Sequence, residues 1–350
     1  MDFIKTFVIT ALAIASNCGH TKESKPKVLS TKQDISRIRF ITGDGKFTFY
    51  QRKSGPLYVS TNYAVKKVLD GESDSLFLMS GSAVRKRLIV ENIDHYYGLH
   101  SLNEIHNIFT TTIDGKKVTK VGQGLYPKLQ LSDQWISYYL PHHKEIKVKF
   151  LEDLDISLSI SLNVNHDHYF SPQVMMLSQN HILYTDKNAN DQTGLFLFEK
   201  DQKKSKLIYK TPVAGVKVEL CETNKYIIFG KFGAFSTKAG STISVLKKGP
   251  DISIENQTII YSSKQNDIGN IICNDQDEVF FVKDVSLAGD FQRKHDAFLV
   301  KIESKKLSRL TNSADVTQIF DLDGRILAVS KGKYLVLRGD YKTAKDSLNE

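Results

Sequence analysis

The chain has 350 residues, 41% of them hydrophobic and 25% charged, with a formal net charge of +9. These fractions are ordinary for a folded globular protein and exclude a collagen-like, coiled-coil or largely disordered chain. Basic pairs such as Lys203-Lys204 and Lys247-Lys248 are short and scattered, with no aromatic-and-basic stripe. Nucleic acid is therefore not an expected partner.

At the N-terminus Lys5 leads into the apolar run Phe7-Val8-Ile9-Thr10-Ala11-Leu12-Ala13-Ile14-Ala15, followed by Ser16-Asn17-Cys18-Gly19. A short basic start, an apolar stretch of about ten residues and small residues before a cut site describe an export signal over residues 1–17. The run is shorter than the ~20 residues that a bilayer-spanning helix needs. Ala15-Ser16-Asn17-Cys18 resembles the signal of bacterial lipoproteins, which implies lipidation of Cys18 after cleavage. Gly19, in place of Asp, then implies the outer rather than the inner membrane. Residues 18–25, with Lys22, Glu23, Ser24 and Lys25, form a polar tether.

From residue 26 to 341 the chain reads as a single repeat domain, with a polar tail over 342–350. A turn between two apolar strands recurs about every 45 residues. Its copies are Phe40–Tyr50, Gln130–Tyr139, Met176–Thr185, Leu220–Phe229, Ile272–Phe281 and Phe320–Val329, with a degenerate copy at Arg85–Val90. In the fourth copy, Pro172–Leu177, His181–Thr185, Leu195–Glu199 and Lys206–Tyr209 read as four strands separated by polar turns. Blade six repeats the pattern, with Phe298–Ile302 and Leu307–Thr311 as its third and fourth strands. The last copy supplies three strands, Val316–Asp321, Arg325–Val329 and Tyr334–Arg338. The segment Pro26–Thr31 reads as the missing fourth.

These features predict an all-β fold: a seven-bladed β-propeller of four-stranded antiparallel blades, its ring closed by the N-terminal strand. Six or eight blades are the alternatives. Lysines at the outer strands, such as Lys66-Lys67 and Lys203-Lys204, are expected to blunt exposed edges.

Two segments resemble the WD40-like PD40 repeat of TolB-type propellers. One is Tyr126-Pro127 followed by Leu131-Ser132-Asp133-Gln134-Trp135-Ile136-Ser137-Tyr138, and the other is Ser171-Pro172 followed by Leu177-Ser178-Gln179-Asn180-His181-Ile182-Leu183-Tyr184. The resemblance is to the propeller alone and implies a surface for protein segments, often at the mouth of the central channel.

Candidate chemistry is sparse. His142, His143, His166 and His168 could supply metal ligands, and Asp186, Asn188, Asn190 and Asp191 offer oxygens at nearly alternating spacing. The latter group lacks the Gly and Glu of a calcium loop, and a polar hairpin connection accounts for it. Glu152, Asp153 and Asp155 read as a solvated acidic turn, and Trp135 as core. No Gly-x-Ser-x-Gly nucleophile motif occurs. No catalytic residue, metal or cofactor is therefore assigned. His95, Tyr96, Tyr97 and His100 form a candidate contact patch in blade two. Cys221 and Cys273 occupy the same slot in successive repeats. Divergence of adjacent blades makes two buried thiols the expected state, ahead of a disulfide.

The expected function is a non-enzymatic protein-binding scaffold, monomeric and exported to the bacterial periplasm or outer membrane on a lipid anchor, with secretion as the alternative location. It would hold an envelope protein or peptide segment. The alternative function is an extracytoplasmic hydrolase or lyase with a channel-mouth site, with or without a metal.

Overall fold

The structure, a computed structural model, describes residues 37–337 apart from 42–46, 52–54, 62–63, 72–75, 83–86, 94–105, 132, 167–170, 234–239, 250–251, 253, 266, 287–292, 323–324 and 331–332. The export signal, Cys18, the tether, the Pro26–Thr31 strand, the contact patch at His95, Tyr96, Tyr97 and His100, His168 and the C-terminal tail lie outside the described residues. The chain divides into two compact units, one running to Ser159 with Leu322, the other comprising Ile160–Asp321 and the chain from Arg325.

The first sheet contains β1 (Arg37–Ile41), β2 (Thr48–Gln51), β3 (Leu57–Ser60) and β4 (Val65–Leu69). Next come β5 (Leu76–Ser82), β6 (Arg87–Ile93), β7 (His106–Thr112), β8 (Val118–Gln130), β9 (Trp135–Leu140), β10 (Glu145–Phe150) and β11 (Ser157–Ser161) in one seven-stranded sheet. Then follow three four-stranded sheets. The first has β12 (Val174–Met176), β13 (His181–Lys187), β14 (Thr193–Glu199) and β15 (Lys204–Lys210). The second has β16 (Val216–Glu222), β17 (Tyr226–Gly233), β18 (Ser241–Lys247) and β19 (Thr258–Ser263). The third has β20 (Ile268–Cys273), β21 (Glu278–Asp284), β22 (His295–Lys301) and β23 (Leu307–Arg309). A three-stranded sheet of β24 (Val316–Leu322), β25 (Arg325–Ser330) and β26 (Lys333–Val336) ends the described chain. Each strand pairs antiparallel with the next in sequence, so every sheet is a meander.

The seven-stranded sheet departs from the expected separation of blades two and three. β8 is 13 residues long and serves both, pairing with β7 up to Gly124 and with β9 from Leu125. Tyr126, in the left-handed region at φ 55, and Pro127 make a bulge where a break was expected. One strand is thus bent rather than cut.

Burial explains why these residues form these strands. The second strands are apolar without alternation, as in Ile182-Leu183-Tyr184 and Val279-Phe280-Phe281-Val282, because both faces of each sheet are covered. In the β20–β23 sheet, Val279, Phe281, Phe298 and Val300 pack with Ile228, Ile243 and Val245 of the preceding sheet. Their alternating neighbours Phe280, Val282, Ala297 and Leu299 pack with Val316, Ile319 and Ile326 of the following one. This period of two divides each sheet between two consecutive neighbours. The β16–β19 sheet does the same, sending Ile227, Phe229 and Leu246 back against Met175, Leu183 and Leu195. In the other unit, Phe49, Leu57 and Val59 pack on Phe77, Leu88 and Val90. Face-to-face stacking of successive meanders is the packing of β-propeller blades.

The fourth strands are the exposed ones. In β15 the first four residues are open to solvent, and Lys204, Lys206 and Lys210 line its unpaired edge. Lys66 and Lys67 do the same in β4. Solvated ammonium groups there disfavour edge-to-edge association. Among the described residues no helix is long and apolar enough to cross a membrane.

Candidate functional site

In a meander whose first strand starts at a given end, the turns after the second and fourth strands return to that end. In the unit beginning at Ile160 these turns include 188–192 and the described residues 285–286 and 293–294 after second strands, and 211–215, 264–265 with 267, and 312–315 after fourth strands. Residues 162–166 and 171–173, before β12, lie at the same end of the strands. Of the polar groups singled out in the sequence, this end carries His166, Asp186, Asn188, Asn190 and Asp191, and the geometry shows what they do.

His166 and Asp186 meet there. His166 Nε2 donates to Asp186 Oδ1 at 3.0 Å, with both side chains nearly inaccessible. The other carboxylate oxygen accepts from the Asn163 amide at 2.8 Å and from Asn163 Nδ2 at 2.6 Å. Oδ1 also accepts from the Lys187 amide at 2.7 Å. Asp186 thus straps the loop before β12 to the end of β13. Its lone pairs face the loop, not an open cavity, as buried carboxylates require.

The remaining oxygens of the proposed calcium pattern close their own turn. Asn188 Oδ1 accepts from the amides of Asn190 and Gln192 at 2.9 and 3.1 Å, while Asp191 pairs with Lys187 Nζ at 2.7 Å. The polar-hairpin reading of these residues holds. Among the described residues no three His, Cys, Asp or Glu side chains gather as a metal site. His142 and His143 stand exposed on the turn Pro141–His143 of the other unit. There too, Glu152 pairs with Arg87, while Asp153 and Asp155 are solvated. Trp135 is 5% exposed, with its ring 5.1 Å from that of Phe150, and is core.

A second clip surrounds Asp296, which is 0% exposed. Its Oδ1 accepts from Thr311 Oγ1 at 2.6 Å and from the Ala314 amide at 3.0 Å, and its Oδ2 accepts from Arg309 Nε at 2.9 Å and from Arg309 Nη2. A third joins Tyr261 and Asp267, the phenol donating to Oδ2 at 2.6 Å. Lys283 Nζ lies 3.8 Å from the same oxygen and 5.5 Å from the ring centres of both Tyr261 and Phe298. Burial, reinforced by the Asp267 carboxylate, drives the Tyr261 phenol far above its usual range. It stays protonated and keeps donating.

The seams between consecutive sheets of this unit repeat one device at the start of the third strand. Thr193 Oγ1 donates to the Val216 carbonyl at 2.5 Å. Ser241 Oγ accepts from the Asp267 and Ile268 amides at 3.1 and 3.4 Å. His295, at the equivalent position, bridges to Asp315 through its backbone. Each contact reaches the first strand of the next sheet or the residues just before it. Sequence reading missed these residues. Their signal is register: Leu195, Ile243 and Ala297 are equivalent, which puts Thr193, Ser241 and His295 in one column.

The cysteines correct an expectation. Cys221 of β16 and Cys273 of β20 form a disulfide with their Cα atoms 5.8 Å apart. The first strands of successive sheets come closer than blade divergence suggested. β20 also carries a bulge between Gly269 and Ile271, with Asn270 at φ 49.

In the other unit, His106 Nδ1 donates to Glu91 Oε2 at 2.9 Å across β7 and β6. These residues flank the segment 94–105 that carries His95, Tyr96, Tyr97 and His100.

No protein-family model matches the chain, and no curated protein matches it. Solved structures do resemble it. One, from a study of two prolyl endopeptidases and the role of inter-domain dynamics in their catalysis, has a TM-score of 0.55 at 10% identity, over 87% of this chain and 49% of that one. The acylaminoacyl peptidase of Pyrococcus horikoshii gives 0.51 at 8% identity, over 75% of this chain and 44% of that one. The β-propeller domain of the trilobed protease from Pyrococcus furiosus gives 0.49 at 9% identity, over 72% and 78%. This chain therefore spans about half, or less, of the two peptidase chains it resembles. At such identities the likeness concerns fold alone. The successive antiparallel meanders stacked face to face themselves define the class: an all-β protein of the β-propeller kind.

Proposed function

We propose that the chain is a non-enzymatic binding scaffold, a TolB-like propeller of PD40 type with seven blades closed by the Pro26–Thr31 strand. In this reading it is exported, anchored through a lipid on Cys18, and holds an envelope protein or peptide segment on the loop end described above. The observation that carries the reading is the use of the buried polar groups at that end. Asp186 and Asp296 accept hydrogen bonds from neighbouring loops and strands on both carboxylate oxygens, and Asp267 accepts from Tyr261 on one, which ties a set of turns to the frame. Preordered turns on a rigid frame suit recognition, because little conformational entropy is lost on binding. The Cys221–Cys273 disulfide supports an oxidising, extracytoplasmic location.

The test is crosslinking and affinity capture from intact cell envelopes, comparing the wild type with Cys18→Ser. One defined envelope partner, recovered with the wild type and lost when the anchor is removed, is the expected result. Absence of any defined partner, with hydrolysis or elimination found in a polysaccharide and peptide screen, would overturn the scaffold reading.

A further inference from the structure

β16 and β20 belong to different sheets and share no backbone ladder, so the seam between them rests on side chains. Two contacts bracket the disulfide there. Glu219 Oε2 accepts from the Ile271 amide at 3.0 Å on one side. On the other, Thr223 Oγ1 donates to Asp277 Oδ1 at 2.6 Å, and Lys225 Nζ pairs with Asp277 at 2.9 Å. Residues 219 and 223 each lie two positions from Cys221, on the side of the strand that Cys221 itself presents to β20. Both cysteines are only partly buried, at the margin of the apolar cluster that contains Ile228, Val279 and Phe281. The pair is thus held in register by non-covalent contacts and remains open to an exchanging thiol.

We propose that Cys221–Cys273 is a redox-dependent staple, closed by a thiol–disulfide oxidoreductase and reopened by reductant, that ties the β16–β19 sheet into the stack. On closure each thiol gives up a proton, and two electrons pass to the disulfide of the oxidising catalyst, which leaves as a dithiol. The exchange proceeds through a mixed disulfide that the second cysteine thiolate resolves. The staple spans 52 residues of sequence, a loop that contains the entire β16–β19 sheet. Closing a loop of that length removes enough unfolded-state entropy to shift the folding equilibrium by about a thousandfold. The bracketing contacts keep the reduced seam aligned, so re-oxidation proceeds from the folded state.

The test uses the full chain carrying Cys18→Ser, which leaves two of the three cysteines. Peptide mapping without reduction locates the bond, and urea unfolding is followed with and without reductant. The expected result is a Cys221–Cys273 linked peptide, a roughly thousandfold loss of folding equilibrium on reduction, and recovery on adding glutathione disulfide. A further Cys221→Ala/Cys273→Ala variant is expected to match the reduced protein and to ignore reductant. Should that variant fail to fold, the reductant titration of the Cys18→Ser protein decides alone. Two free thiols after glutathione-disulfide treatment, or an unfolding curve that reductant does not move, would overturn the proposal.

Discussion

Replacing Asp186 with Ala tests the loop strap most sharply. The carboxylate is 1% exposed and accepts from four donors: the Asn163 amide and side chain, His166 Nε2 and the Lys187 amide. Asn163 is itself exposed, so its donors can turn to water when the acceptor is lost. His166 and the Lys187 amide cannot do so without opening the loop. Loss of a hydrogen bond to a buried charged group costs about 1.5–3 kcal/mol, and two such bonds with partial relaxation give a destabilisation of about 3–4 kcal/mol. Asp186→Asn keeps one acceptor oxygen and is expected to lose about half as much. Urea unfolding followed by far-ultraviolet circular dichroism reads the global effect. Amide exchange at Asn163 and Lys187 reads the local one, with rates expected to rise about a hundredfold or more. A change under about 0.5 kcal/mol with unaltered exchange at both amides would refute the strap, since that is the scale of an ordinary surface substitution.

Other outcomes follow from the same packing. Phe281→Ala removes a fully buried ring lying 5.1 Å from Tyr261 and 5.9 Å from Phe298. Thermal unfolding should register a loss of about 3–5 kcal/mol. A Cβ on Gly240 would sit 2.2 Å from the Ser263 carbonyl oxygen, so Gly240→Ala should cost about 1–3 kcal/mol in the same assay and weaken the seam at Ser241. Burial raises the phenols of Tyr138, Tyr184 and Tyr209, Tyr138 to about 12. The folded chain keeps protons that the unfolded chain releases near pH 10, so stability falls as pH rises from about 10 toward 12, and Tyr138→Phe should flatten that fall. Asp114 behaves oppositely. Partial burial opposes its ionisation, but bonds from Thr112 and Lys116 prevail and lower it to about 2. Its contribution is complete above about pH 4 and disappears as pH falls toward 2, a loss that Asp114→Asn should abolish in acid titration.

The strands of the β12–β23 region were legible because each strand carries its own signal, an apolar run bounded by Asn, Asp, Lys or Gly. Observed β13, β14 and β15 contain the strands expected around His181–Thr185, Leu195–Glu199 and Lys206–Tyr209, differing at the ends by hydrogen-bonded residues such as Lys187 and Thr193. Events between sheets were not legible in the same way. The continuous path of β8 through Tyr126 depends on one left-handed residue beside a proline, and in sequence that pair resembles a break. The 5.8 Å approach of the Cys221 and Cys273 Cα atoms is made between two sheets, and no periodicity within either strand encodes it. In sequence Asp186 reads as part of a polar hairpin connection, and its actual partners, Asn163 and His166, are 23 and 20 residues away. Local pattern names the strand, whereas the partner of a buried charge is set by how strands stack.

The central claim is that the fixed loop end of this propeller binds a partner, and site-specific photo-crosslinking in intact cells tests it most directly. A photoreactive side chain would replace Asn190 or Lys294 on that end, and Lys206 on the exposed edge of β15 as the comparison; all three positions are solvent-exposed. The account predicts one discrete crosslinked product, the same from Asn190 and Lys294 and absent from Lys206. Discrete products from Lys206 alone, or none from any position while turnover is detected, would contradict it.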